Sequence, residues 1–153
     1  MLTRPEPVVR YAMPEDYPQI IAMSEALHEE NGHQSIDYPT AEAAIMDAIN
    51  RNRAVIGIIG PVGDIQGIVF LRFASFWYSS DVFLEELFLY VPPQYRKGTG
   101  HARALLTFAR GAAKRLGLPL LIGVLSNERT KAKLNLYERH LGAPVGGYFF
   151  VEG

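Results

Sequence analysis

At 153 residues, 48% of them apolar and 20% charged, the chain has the length and usage of one globular domain, which sets aside disordered and fibrous classes. A formal net charge of −1 gives no overall pull toward nucleic acid, and no run approaches the ~18 apolar residues of a membrane span, so we expect no nucleic-acid or membrane partner and a cytoplasmic location. The lack of cysteine removes disulfides, thiolate metal sites and a cysteine-borne covalent intermediate, leaving oxygen and nitrogen groups to carry any chemistry.

In chain order, "VVRYAM" is a short β-rich run. It is followed by "PEDYPQIIAMSEALHEENG", where Asp16 and Gln19 stand at capping-box spacing and Ile20, Met23 and Leu27 fall on one helical face. Pro18 fits the first turn, where its missing N–H has no intrahelical partner. After a loop, Thr40 is placed to cap "AEAAIMDAINRN", with Ile45, Ala48 and Ile49 at helical spacing. "AVIGIIGPVGDIQGIVFLRFASF" reads as two strands around a Gly-Pro and Gly-Asp turn, an antiparallel hairpin. "DVFLEELFLYV" is apolar on both faces except at Glu85 and Glu86 and predicts a central strand covered on both sides.

A helix is predicted over "HARALLTFARGAAKRLG", with Ala102, Leu105, Leu106, Ala109, Ala113 and Leu116 along one stripe and Gly117 and Pro119 as its stop. "LPLLIGVLS" then predicts a buried strand, "NERTKAKLNLYERHLG" a helix ending at Gly142, and "GYFFV" a closing strand. The order β-αα-βββ-α-β-α-β, without repeat or linker, predicts one mixed α/β (α+β) domain over residues 1–153 with helices flanking a central sheet.

The stretch "YVPPQYRKGTGHARALL" joins a strand to the start of a helix through the cations Arg96 and Lys97 and the glycines Gly98 and Gly100. Helix starts bind anions: the first N–H groups lack partners, the macrodipole adds about half a positive charge, and glycines let phosphate oxygens approach the backbone. Neither the dinucleotide G-x-G-x-x-G nor the P-loop pattern is present, so nucleoside triphosphate readings weaken. Plain turn glycines and solvated cations are the alternative reading of the same residues.

These residues and the element order resemble the GNAT superfamily of acetyl-CoA-dependent N-acetyltransferases over nearly the whole chain, and the resemblance implies a mostly antiparallel GNAT-like sheet. The family's phosphate loop reads Gln or Arg, two residues, Gly, one residue, then Gly or Ala. Anchoring on "RALL" puts Lys97 first, Gly100 at the glycine and Ala102 last, the preferred register; anchoring on Gly98 and Gly100 puts Tyr95 first. Either way the resemblance implies that the loop from Arg96 through Lys97, Gly98, Thr99, Gly100 and His101 to Ala102 binds the pyrophosphate of acetyl-CoA. "SNERTKAKLNLYERHLG" resembles a second family segment, which implies that Asn127 contacts the pantetheine arm and that Tyr137 protonates the leaving thiolate. The backbone of Leu89, Tyr90 and Val91 would supply pantetheine hydrogen bonds and stabilise the oxyanion. Read without the resemblance, an Asn before a helix is a cap and a Tyr on an amphipathic helix a packing residue.

The chemistry implied is attack of a neutral amine, small-molecule or peptide, on a thioester, directly and within a ternary complex. A base, or a water it activates, must take the ammonium proton. Glu85 and Glu86 are the candidates, because burial in an apolar strand raises a carboxyl pKa toward the useful range. Alternation puts them on opposite faces, so one at most can serve. The histidines show no metal-ligand spacing, and no metal is expected. Arg129, Lys131 and Lys133 are placed for a 3′-phosphate or form a solvated helix face. The short segment after Gly142 leaves a role for a partner chain, as in a homodimer. A non-catalytic acyl-CoA-binding or regulatory module on the same fold is the alternative function.

Overall fold

A computed structural model describes residues 5–126 and 129–153; Asn127 lies outside them. Strand β1 (Val9–Tyr11) leads through a 3₁₀ turn at Pro14–Asp16 into α1 (Tyr17–Asn31), and α2 (Tyr38–Ile49) follows. Next come β2 (Ala54–Ile59), β3 (Gly67–Ala74) and β4 (Phe83–Tyr90), then a 3₁₀ turn at Pro93–Tyr95, α3 (His101–Leu116), β5 (Leu120–Leu121) and α4 (Thr130–Leu141). The strands form one five-stranded sheet in the order β1-β2-β3-β4-β5, antiparallel except for the parallel pair β4–β5.

The sheet carries a core on each face. On one side Ile56, Ile58, Ile68 and Phe70 meet Ile20, Ile45, Ala48 and Ile49 of α1 and α2. On the other, Val69, Leu71, Leu84 and Leu89 meet Leu105, Leu106, Ala109 and Ala113 of α3 and Tyr137 of α4. The apolar stripe of α3 is as its spacing predicts, save that Leu116 is exposed and Ala104 and Ala112 are buried. Gly117, left-handed at φ 69°, closes the helix.

Several local expectations are corrected. Asp16 precedes α1 but does not cap it with its side chain. The carboxylate is fully buried, accepts two hydrogen bonds from Arg10 at 2.8 and 2.9 Å, and accepts another from the Met13 N–H at 2.7 Å. The guanidinium bonds outweigh the opposing desolvation and hold its pKa down. Helix α2 starts two residues before Thr40 and is capped by Asp37, whose carboxylate accepts from the Thr40 N–H at 3.2 Å.

Strand β4 lies inside the sheet with core on both faces, as predicted, but its pairing is uneven: β3 flanks it along its length and β5 only at Leu84 and Glu85. β5 itself is two residues long, because the chain leaves the sheet at Ile122. The closing strand over 147–151 does not form; Tyr148, Phe149, Phe150 and Val151 are exposed and outside the sheet. Phe150 instead lies against His33 (ring centroids 4.8 Å apart).

Candidate active site

The early departure of β5 leaves the second half of β4 with hydrogen-bonding groups on its outer edge that no described strand pairs. Beside that edge is a cavity of about 250 Å³. Leu89, Tyr90 and Val91 line it from the end of β4, Arg96, Gly100, His101 and Ala102 from the loop and first turn of α3, and Lys133 and Tyr137 from α4. Leu27, Glu30 and Asn31 of α1 close it from the opposite side.

The loop has the conformation its composition suggests. Gly98 and Gly100 sit at φ 70° and 75°, where side-chain-bearing residues are strained, and Gly100 is the residue from which the 16-residue α3 starts. Thr99 is taken up in the loop's own structure: its hydroxyl donates to the Tyr95 carbonyl (2.5 Å) and accepts from the His101 N–H (3.3 Å). Lys97 is exposed and does not line the cavity. Arg96 is committed: its Nε donates to the Val91 carbonyl (2.7 Å), its Nη2 reaches both Glu30 carboxylate oxygens (2.8 and 2.9 Å), and its guanidinium lies over the Tyr90 ring. It therefore ties the loop to α1 while lining the cavity.

The two glutamates separate clearly. In β4 an irregularity skips Leu87, so that Leu71 faces Glu86 and Arg72 faces Glu85 across the β3–β4 ladder. Glu85 forms a partly exposed ion pair with Arg72 at 3.3 Å. Glu86 faces the α3–α4 side with Leu71, and its Oε2 is buried without a hydrogen-bond partner. Burial pushes its pKa up to about 8, with the Lys133 cation opposing and Glu85 adding to the rise. Neither glutamate lines the cavity directly; Glu86 is coupled electrostatically to Lys133 and Tyr137, which do.

Tyr137 is 9% exposed, and burial, with a smaller contribution from Glu86, raises its pKa well above the ordinary phenol value. The hydroxyl therefore keeps its proton across the neutral range. Lys133 is pulled the other way, chiefly by burial, against the attraction of Glu30 and Glu86. Reading the sequence as a solvated charge run misses Lys133 and Arg129 as cavity residues, although a signal was there: 129, 133 and 137 share one helix face at i, i+4 spacing. Lys131, off that face, is exposed. Leu27, Glu30 and Asn31 carry no sequence signal, since only the packing of α1 brings them to the loop.

No group of three or more His, Asp or Glu side chains among the described residues is arranged to hold a metal ion. No described helix is long and apolar enough to cross a membrane.

No protein-family model and no curated protein matches the chain. Solved structures share its fold. The chain is similar to a GNAT family acetyltransferase from Staphylococcus aureus subsp. aureus USA300_TCH1516 at 13% identity, with 97% of this chain and 98% of that one covered and a TM-score of 0.62. It is similar to the ribosomal-protein-alanine N-acetyltransferase from Brucella melitensis biovar Abortus 2308 at 15% identity, 97% and 99% coverage and a TM-score of 0.70. It is also similar to AAC(6′)-Iy, in complex with the bisubstrate analogue CoA-S-monomethyl-acetylneamine, at 11% identity, 95% and 97% coverage and a TM-score of 0.72. The chain thus has the GNAT acetyltransferase fold.

Proposed function

We propose that the chain is an N-acetyltransferase that moves an acetyl group from acetyl-CoA to a primary amine by direct attack in a ternary complex. The observation that carries this reading is one cavity bordered by the glycine-bearing start of α3, the open edge of β4 and the buried Tyr137 hydroxyl. The N-terminal turn of α3 from Gly100 to Ala102, where the loop reaches the cavity, would hold the pyrophosphate, with Arg129 and Lys133 adding positive charge on the α4 side. The outer edge of β4 at Leu89, Tyr90 and Val91 would bond the pantetheine amides as an added strand does, and its N–H groups would receive the oxyanion.

Acid and base roles are assigned by environment. Glu86 takes the proton that the acceptor ammonium must lose, directly or through a water, and Lys133 favours its ionised form. Glu85, already paired with Arg72, is not needed. As the amine nitrogen bonds to the carbonyl carbon and the C–S bond breaks, Tyr137 donates its phenolic proton to the departing thiolate; the acylated nitrogen gives up its surplus proton, which restores the phenol, and the proton held by Glu86 passes to solvent. Small-molecule amines, on the pattern of the acetylneamine analogue bound to one similar structure, are first acceptors to try, with peptide amines beside them. The exposed Tyr148, Phe149 and Val151 support a homodimer, which light scattering would test.

The decisive experiment is incubation of the protein with acetyl-CoA and a panel of amines, peptides and aminoglycosides, with free thiol measured. Amine-dependent thiol release with matching acetyl-amine product is expected. Binding of coenzyme A without release for any acceptor would favour the non-catalytic acyl-CoA-binding module instead.

A further inference from the structure

Outside the cavity, the β2–β3 turn at residues 60–66 reaches across to the loop before α3. We propose that Gln66 on this turn is the positioning residue of the anion-binding loop, setting the first turn of α3 through the side chain of His101. The proposal rests on the cofactor reading given above.

His101 opens α3 and is 8% exposed. Its Nε2 stands 3.1 Å from the Gln66 Oε1. An amide oxygen only accepts, so Nε2 carries a hydrogen and donates it to Gln66. The Nδ1 is buried and has no hydrogen-bond partner, which makes Gln66 the ring's polar anchor. The imidazole stacks on the Tyr95 ring at 5.8 Å between centroids and 13° between planes. Tyr95 is tied to the same turn, its hydroxyl donating to Asp64 Oδ1 at 3.3 Å, while Gln66 Nε2 donates to Asp64 Oδ2 at 3.2 Å. Both ends of the glycine-bearing segment, Tyr95 and His101, are thereby gripped by two side chains of one turn.

The turn is a firm support. Gly60 is at φ 107°, and a Cβ there would lie 2.1 Å from the Asp64 carbonyl oxygen, so only glycine closes it. Asp64 N–H donates to the Pro61 carbonyl (3.0 Å) and Gln66 N–H to the Ile59 carbonyl (2.7 Å). The Gly60 carbonyl accepts from Arg10 Nε at 2.9 Å, and Arg10 is locked on the buried Asp16. A chain of bonds therefore runs from the sheet through the turn to the loop. On the side where a Cβ would stand the loop is open: one on Gly98 would meet no atom within 4 Å, and one on Gly100 would meet only Pro7 Cδ at 3.9 Å. Without outside support such a loop would sample several backbone states, and each would aim the N–H groups differently. Holding it in one geometry before binding removes an ordering cost from cofactor affinity.

Calorimetry with coenzyme A on the full chain tests this, with kinetics on any acceptor found. Gln66→Leu, similar in size but unable to accept a hydrogen bond, is expected to weaken coenzyme A binding about tenfold and to raise the acetyl-CoA KM alike. kcat at saturation and acceptor KM should stay near wild type, while the melting temperature falls by the few degrees that one unsatisfied buried ring N–H costs. Asp64→Ala, at an exposed turn position, removes the partner of both Gln66 and Tyr95 and should weaken binding comparably, giving a second measurement if Gln66→Leu folds poorly. Unchanged affinity in Gln66→Leu, or in Asp64→Ala, overturns the proposal while leaving the acetyltransferase reading intact. Failure of the wild-type protein to bind coenzyme A overturns both.

Discussion

Tyr137 and Glu86 interact electrostatically at the wall of the cavity; burial moves the Glu86 pKa toward the range a base needs, whereas it raises that of Tyr137, which keeps its proton until the thiolate departs. Tyr137→Phe keeps the ring in its buried position and removes the acid. kcat is expected to fall about 10²-fold, with coenzyme A affinity and melting temperature little changed, because a thiolate is a tolerable leaving group and protonation assists it without being indispensable. Steady-state kinetics beside a thermal melt checks this, and a sharp loss of stability would assign the hydroxyl a structural role. For Glu86 the pH dependence follows from its raised pKa. With an acceptor amine that stays neutral across the range, kcat/KM should rise with pH and level off above about 8, as the base loses its proton. Glu86→Gln should abolish that limb. The stability effect has the opposite sign. Folded Glu86 holds its proton to about pH 8, while an unfolded glutamate releases it near 4.5, so its contribution is intact below pH 4.5 and is lost as pH climbs to about 8. Glu86→Gln, which copies the protonated form, is therefore expected to match wild type at pH 4.5 and to be more stable at pH 9, by ~3 kcal/mol after allowing for relaxation around Lys133. Denaturant unfolding at the two pH values decides the point.

At the scale of elements, the junction of β4, loop and α3 bears most of the proposed binding. Gly100→Val puts a branched side chain at φ 75° and on the face a phosphate would approach. Strain of roughly 1–2 kcal/mol and a loss of coenzyme A affinity of at least tenfold are expected, read by calorimetry on protein shown to be folded. Space alone would not cause the loss, since the nearest atom to a Cβ there is 3.9 Å away. This junction was legible in the sequence, because glycines, cations and the Leu105–Leu106–Ala109–Ala113 stripe are all local signals. The faces of Glu85 and Glu86 followed from alternation, yet which of them is buried did not: it depends on Arg72 across the ladder and on the skipped Leu87, both tertiary facts. "LPLLIGVLS" gave a strand of the right type and the wrong length, since an apolar run says nothing of where its neighbour stops pairing. Thr40 and Asp37 are both good caps, and only the backbone geometry at Asp37 selects it. Gln66 was silent, a single polar residue on a turn whose partner lies 35 positions away.

Across the whole molecule the sheet separates two ends. The cavity lies at the end of β4, and the β3–β4 connection lies at its beginning, about eight strand residues or ~27 Å away. Trp77, the single tryptophan, sits in that connection and is 96% exposed, its ring meeting Tyr78 edge-on. Its fluorescence should be that of a solvated indole, readily quenched by acrylamide, and titration with coenzyme A should leave it unchanged. A marked change on binding would mean that the two ends of the sheet communicate. A change with protein concentration alone would place the aromatic connection in a contact between copies.

The outer edge of β4 that no described strand pairs offers a place for a ligand and also bears on how the protein keeps in solution. Backbone donors and acceptors left open along Leu87–Tyr90 are a template on which another extended chain can add, whatever its sequence. The exposed apolar segment Tyr148–Val151 is one such chain, supplied by every neighbouring molecule. A pantetheine arm lying on the edge would occupy the same hydrogen bonds and deny them to that segment. On the proposed function, bound coenzyme A would then shield the edge, and the protein stored without it would be the more prone to self-association.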